Sequence, residues 1–211
     1  MEKVDVVGVG PGAPEYVTPA ALKAVEKADV LVGGERNLAI FRGFSGSTFE
    51  IKNNLEEMID FIKKNRMDNK KVAVLASGDP GMFGILACLR ENFSPADLNV
   101  IPGISTVQYA CARLAIPWHD AVAVSTHGRG RNELVDRVYR GQKVVVLPGP
   151  AEPPYELART LKAAGAGNKR VFVCSDLSYP DEEIRFFFLE ELAAVCEAWE
   201  KRNYVMVILN E

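Results

Sequence analysis

Short runs of β-branched residues alternate along the chain with stretches whose apolar positions recur at helical spacing. Val4–Val9, Val30–Val32, Val72–Ala76 and Leu98–Ile101 have few polar interruptions and read as strands buried on both faces. Between and after them, Leu55, Met58, Ile59 and Ile62 fall at i, i+3, i+4 and i+7, and Ile104, Val107, Cys111 and Leu114 fall at i, i+3, i+7 and i+10. Each set lines one side of an amphipathic helix. Asn53 is the expected N-cap of the first of these helices. Alternation of this kind predicts an α/β fold: a mostly parallel sheet with helices on its faces.

The rhythm breaks at Ile116-Pro117-Trp118-His119-Asp120, which has no clear period. A second series of strands begins at Ala121–Ser125 and continues through Lys143–Leu147, Val171–Cys174, Ile184–Phe188 and Val205–Leu209. Helices are expected over Asn132–Arg140, Pro154–Ala164 and Leu189–Trp199. Closer, hairpin-like spacing here predicts a mixed sheet. Two α/β domains are therefore expected, residues 1–116 and 117–211.

Composition acts mainly by exclusion. With 48% hydrophobic and 25% charged residues, the chain has enough apolar material for two real cores. A net charge of -3 argues against a general nucleic-acid binder. No apolar run approaches the length needed to span a bilayer and the first residues lack a leader pattern, so a cytoplasmic protein without a membrane partner is expected. Cys88, Cys111, Cys174 and Cys196 lie far apart in apolar segments without CxxC spacing, with only His119 and His127 to join them. They read as buried free thiols, with no protein-bound metal.

Chemistry concentrates in glycine-rich loops after predicted strands. Gly8-Val9-Gly10-Pro11-Gly12 follows the first, and its alternating glycines let backbone approach a ligand closely. Gly8, Gly10 and Ala13 can be set on the GxGxxG/A dinucleotide pattern, but that pattern needs a helix to open at once. Pro14 to Val17 intervene, the helix is expected at Thr18-Pro19, and no acidic residue ends the strand at Val32. A nicotinamide enzyme is thus disfavoured, leaving a structural turn or another cofactor cradle. Ser77-Gly78-Asp79-Pro80-Gly81-Met82-Phe83-Gly84 follows a second strand, and Pro102-Gly103-Ile104-Ser105-Thr106 a third. Gly-Asp-Pro is also a common turn, and Ser105 or Thr106 also suits a helix cap. In a parallel sheet, however, such loops converge on one crevice.

Read in order, these three loops resemble the signature of the tetrapyrrole methylase family. Within it, Val32-Gly33-Gly34-Glu35-Arg36, Arg113-Leu114-Ala115-Ile116-Pro117-Trp118 and Ser125-Thr126-His127-Gly128-Arg129 are similar to the branch that methylates C5 of cobalt-precorrin-7. The resemblance runs from about Val4 to Leu209. It implies two α/β domains with the active site in the cleft between them, S-adenosylmethionine as methyl donor, S-adenosylhomocysteine as product, and a homodimer.

Carried onto this sequence, it places cofactor contacts at Pro11, Gly78, Asp79, Met82, Ser105 and Thr106, joined by Leu147 and Ser175 of the second domain. Ser175-Asp176-Leu177 stands where the family has Glu-Asn-Leu, and Pro148-Gly149-Pro150 departs from the usual Thr/Asp-containing loop. Against the corrin precursor it sets Gly10, Gly12, Arg36, Arg129 and Arg131, with guanidinium groups suited to the substrate's carboxylates. His127 is the candidate for moving a proton, against the alternative of a strand-end histidine satisfied by backbone. Longer relatives carry a second methyltransferase for C15. A chain stopping at Glu211 is expected to methylate C5 only, with a separate C15 enzyme.

Other features read as structural. Phe186-Phe187-Phe188 is expected in a core or dimer surface, and Asp181-Glu182-Glu183 and Glu190-Glu191 as solvated turns or a helix start. Trp118 either lines the cleft or is buried at a hinge. The rival functions are a sister methylase acting on another position or substrate, and a non-catalytic ligand-binding module on the same fold.

Overall fold

The computed structural model describes residues 2–127, 131–149, 152–196, 198–200 and 203–210. They form two compact units, Met1–Ser105 and Thr106–Glu211.

The first unit holds β1 (Val4–Gly8), α1 (Pro19–Glu26), β2 (Val30–Gly33), α2 (Glu35–Ala39), β3 (Ser47–Glu50), α3 (Leu55–Met67), β4 (Val72–Ala76), α4 (Leu86–Asn92) and β5 (Leu98–Ile101). Its five strands run parallel in the order β3-β2-β4-β1-β5. Strand periodicity divides the valines between two cores. Val4, Val6, Val30, Val32, Val72 and Val74 pack with Met58, Ile59, Ile62, Leu89 and Phe93 on one face. Val7, Val9, Leu31, Ala73 and Leu75 pack with Val17, Ala21 and Val25 on the other. Both faces are covered, as an all-parallel sheet requires.

Helix starts follow local chemistry where the sequence supplies it. Thr18 caps α1, its hydroxyl accepting from Ala21 N–H at 3.2 Å, with Pro19 in the first turn. A short 3-10 turn at Pro14–Tyr16 fills the gap that separates β1 from its helix. At α3 the cap position belongs to Asn54, not Asn53, and the Asn54 side chain turns back to accept from Lys52 N–H at 2.7 Å.

The second unit holds α5 (Thr106–Arg113), β6 (Val122–Ser125), α6 (Asn132–Tyr139), β7 (Val144–Leu147), α7 (Pro154–Ala163), β8 (Arg170–Ser175), β9 (Glu183–Phe188), α8 (Leu189–Ala194) and β10 (Tyr204–Leu209). Its sheet is mixed, in the order β6-β7-β10-β8-β9: β6 and β7 run parallel, and the other pairs antiparallel. Leu134, Val138, Leu157, Leu161, Leu189 and Leu192 close over Val144, Val146, Val171, Val173, Met206 and Ile208. On the other face Val145, Val205 and Val207 are buried as well, and α5 packs against β10.

That packing explains why the units divide after Ser105 and not after Ile116: α5 belongs with the second sheet. Helix α8 stops at Ala194, short of the expected Trp199, because Val195 is extended. Cys196 is consequently exposed, whereas Cys111 and Cys174 are buried and Cys88 half-buried, all four as free thiols. Burial pushes the Cys174 thiol up to about 12. Trp118 is 45% exposed, so it is not a buried hinge residue.

Candidate functional site

In a parallel sheet every strand delivers its following loop to the same edge, so the first unit gathers its three glycine loops there. Contact between them is made by backbone. Val9 N–H donates to Ala76 O at 2.9 Å, and Gly10 and Gly78 exchange bonds, Gly78 N to Gly10 O at 2.8 Å and Gly10 N to Gly78 O at 3.3 Å. Gly10 has φ 80°, the left-handed region, and a Cβ there would lie 2.8 Å from Tyr16 O. A Cβ on Gly8 would lie 2.5 Å from Gly103 N and 2.8 Å from Gly78 O. Gly8, Gly78 and Gly103 therefore touch as bare backbone and make a floor free of side chains.

Asp79 locks this floor. One carboxylate oxygen accepts from Gly81 N–H at 2.8 Å and the other from Gly103 N–H at 3.2 Å, joining the second loop to the third. Its first duty is thus to the loops, with further lone pairs left for a ligand. Around it Met82 is half-buried and Ser105 is 2% exposed. Pro11 is half-buried beside buried Gly12, and Thr106 opens α5. Phe83 adopts φ 52° and is 42% exposed at the same edge. Arg36 is exposed in the first turn after β2. That turn is tied to the second loop: Ser77 Oγ donates to Asn37 Oδ1 at 2.9 Å, and Asn37 Nδ2 donates to Leu75 O at 3.4 Å.

In the second unit Ser125, Leu147 and Ser175 end β6, β7 and β8 at one edge of the mixed sheet. Ser175 is 1% exposed, Leu147 half-buried and His127 exposed. Beside His127, Thr126 Oγ1 donates to Glu152 Oε2 at 2.5 Å and accepts from Gly149 N–H at 3.0 Å. The other Glu152 oxygen takes Arg131 Nε at 2.8 Å and Nη2 at 2.6 Å, while Arg131 Nη1 donates to Thr160 Oγ1 at 2.7 Å. Tyr204 Oη, its phenol pushed well up by burial, donates to Glu152 O at 2.6 Å.

The Arg131 guanidinium thus joins the loop after β6 to the loop after β7 while its side chain stays 38% exposed. Arg129 lies outside the described residues.

Residues 3–193 match the family Tetrapyrrole (Corrin/Porphyrin) Methylases. The chain is a tetrapyrrole methylase. It is 35% identical over 206 residues to the cobalt-precorrin-7 C(5)-methyltransferase of Salmonella typhimurium, covering 98% of each chain. It is also 35% identical over 193 residues to a probable cobalt-precorrin-7 C(5)-methyltransferase of Methanocaldococcus jannaschii, covering 89% of this chain and 90% of the relative. Among solved structures, the Thermus thermophilus uroporphyrin-III C-methyltransferase complexed with S-adenosyl homocysteine superimposes with a TM-score of 0.78 at 24% identity, covering 98% and 96% of the two chains. The last comparison speaks for the fold alone.

Three residues of this methylase's strand-end edges escape sequence reasoning: Asn37, Glu152 and Glu182. Asn37 carries no motif, and Glu152 sits in a proline-rich loop whose only cue is a departure from the family pattern. Glu182, read as a solvated turn, has a side chain only 13% exposed and ion-paired to Arg113 at 2.5 Å. Phe187 packs on the core as expected of the phenylalanine run, while Phe186 and Phe188 are 47% and 40% exposed on the edge strand β9. Among the described residues, no helix is long and apolar enough to cross a membrane.

Proposed function

We propose that this methylase transfers a methyl group from S-adenosylmethionine to C5 of cobalt-precorrin-7 in cobalamin biosynthesis. The observation that carries the reading is the 35% identity to the Salmonella C(5)-methyltransferase over 98% of both chains. The site suits the donor: Gly8, Gly10 and Gly103 have no room for a Cβ against the backbone of the adjoining loops, so the three glycine loops close on one another and present main chain at the strand-end edge.

S-adenosylmethionine supplies, when bound, a methyl group already activated by its sulfonium. The protein's work is then alignment and exclusion of water. Pro11, Gly78, Asp79, Met82, Ser105 and Thr106 hold the donor, with Leu147 and Ser175 as further contacts. Gly10 and Gly12 face the macrocycle, and Arg36, Arg129 and Arg131 bind its carboxylates. The new carbon–carbon bond uses a ring electron pair, the methyl–sulfur pair stays on sulfur, and the macrocycle loses a proton, for which His127 is the acceptor. The working form is a cytoplasmic homodimer without a bound metal of its own, and a separate enzyme methylates C15.

Calorimetric titration with S-adenosylhomocysteine tests the donor, and mass spectrometry of the product formed from cobalt-precorrin-7 tests the acceptor. One site per chain and one added methyl at C5 are the expected results. Saturable binding with no methylation of that substrate points to a sister methylase, and no binding at all rejects the donor. In the same titration Asp79→Ala is expected to weaken S-adenosylhomocysteine about tenfold, the scale of losing hydrogen bonds to a charged group. Equal affinity in that variant would remove Asp79 from the site.

A further inference from the structure

Between Ser175 and β9 the chain makes a tight strap whose backbone is held where side chains seldom allow it. Asp176 has φ 46° and Ser178 φ 69°, both in the left-handed region and neither a glycine. Such conformations persist only where their surroundings over-determine them, and they gather at functional sites. Bonds that hold this one are visible. Asp176 N–H donates to Asn203 O at 2.8 Å, Tyr179 N–H to Asp176 O at 3.0 Å, and Glu182 N–H to Tyr179 O at 3.0 Å. Leu177, between the two strained residues, is 5% exposed.

Glu182 fixes the strap from its own far end. Its Oε2 accepts from Ser178 N–H at 2.7 Å, at one of the strained residues. Its Oε1 accepts from Arg113 Nε at 2.5 Å, and Tyr109 also bonds the carboxylate. Burial alone would raise the Glu182 carboxyl, but the bonds from Ser178 N–H, Arg113 and Tyr109 hold it below its ordinary value. Tyr109 and Arg113 stand one turn apart on α5, the helix that opens directly after Ser105. One carboxylate thus joins the segment following Ser175 to the helix following Ser105, two places assigned above to the methyl donor.

We propose that Glu182 is a positioning residue for donor binding: it holds the 176–182 strap in its strained form and locks that form to α5 through Arg113. The proposal rests on the methyltransferase reading above. Removing the anchor lets Asp176 and Ser178 relax to ordinary backbone angles, so the strap no longer presents the segment around Ser175 in its binding form. Chemistry at the macrocycle, once the donor is saturating, is not altered.

The test uses the full chain and S-adenosylhomocysteine. Glu182→Gln keeps the size but removes the charge that Arg113 holds, and without that lock the side chain no longer fixes an acceptor against Ser178 N–H. It is expected to raise the dissociation constant about tenfold, and KM for the donor with it, while kcat at saturating donor stays within about twofold. The specific signature is rescue: Ser178→Gly in the Glu182→Gln background is expected to recover most of the lost affinity, because glycine adopts the left-handed region without an anchor.

Unchanged affinity in Glu182→Gln, beside a wild-type chain that binds, overturns the proposal alone. So does a loss that Ser178→Gly fails to repair, or one that falls on kcat. A wild-type chain that does not bind S-adenosylhomocysteine instead overturns the function on which the proposal rests. Should Glu182→Gln fail to fold, Arg113→Gln, which removes the other half of the pair at a 53% exposed side chain, takes its place with the same expected rise and the same rescue.

Discussion

Replacing Gly103 by alanine is expected to cost the first unit about 3 kcal/mol or more, the upper range for overpacking, and to abolish measurable donor binding. A Cβ on Gly103 would lie 2.7 Å from the Gly8 carbonyl carbon and 2.9 Å from Gly8 Cα, and closer still to Gly78 O. All three are backbone atoms of neighbouring strand ends, so no rotamer change relieves the clash. The loops must part, and the parting also pulls Gly103 N–H away from Asp79. Urea unfolding and calorimetry measure the two effects on one sample. Gly43→Ala is the control: nothing lies within 4 Å of a Cβ there, and a change within about 0.5 kcal/mol is expected. A Gly103→Ala protein as stable as wild type, binding S-adenosylhomocysteine normally, would show that the floor is not tight.

Glu152→Ala is expected to have the second largest effect, about 2–3 kcal/mol of stability together with a higher KM for the corrin substrate. Its side chain is 14% exposed and serves three groups: the Arg131 guanidinium, Thr126 Oγ1 and Gly149 N–H, the last at 3.3 Å. Arg131 is 38% exposed, so water recovers part of its loss and the figure stays below that for a fully buried pair. What is not recovered is the link between the loop that carries His127 and the loop after β7. Glu152→Gln should fall between wild type and alanine. A double-mutant cycle with Arg131→Ala should return a coupling of about 1–2 kcal/mol; a coupling near zero would mean that the two loops are held by something else.

These two sites also mark how far the chain could be read in advance. Where a few neighbouring residues decide the outcome, most elements match the sequence pattern: Thr18-Pro19 starts a helix, Val72–Ala76 is a strand, and glycine clusters follow strands, although the cap of α3 falls on Asn54 and not Asn53. The edge strand β3 went unseen because Ser47-Thr48-Phe49-Glu50 has only β2 as a neighbour and needs no continuous apolar run. The helix at Ile104 started two residues late and the one at Leu189 stopped five early, since apolar periodicity does not mark where hydrogen bonding ends.

Charged partners are harder still. Glu182 meets Arg113 from 69 positions away, and Glu152 meets Arg131 from 21. Nothing in Asp181-Glu182-Glu183 says which carboxylate the fold will bury. The loops were legible as a glycine pattern, but the bonds that fix them depend on which strands become neighbours.

The position of β1 has a consequence for how the protein is made. It lies between β4 and β5, with Asp5 beside Ala73 on one side and Asn99 on the other. β1 precedes both of its partner strands in the chain and is therefore unable to pair until most of the unit has followed it. Parallel sheets of this kind form late and slowly, because distant segments must meet before any bond rewards them. During that interval Val4, Val6, Val7 and Val9, all fully buried in the finished protein, are in water. A central strand made before its partners thus leaves an interval during synthesis in which these valines are open to aggregation.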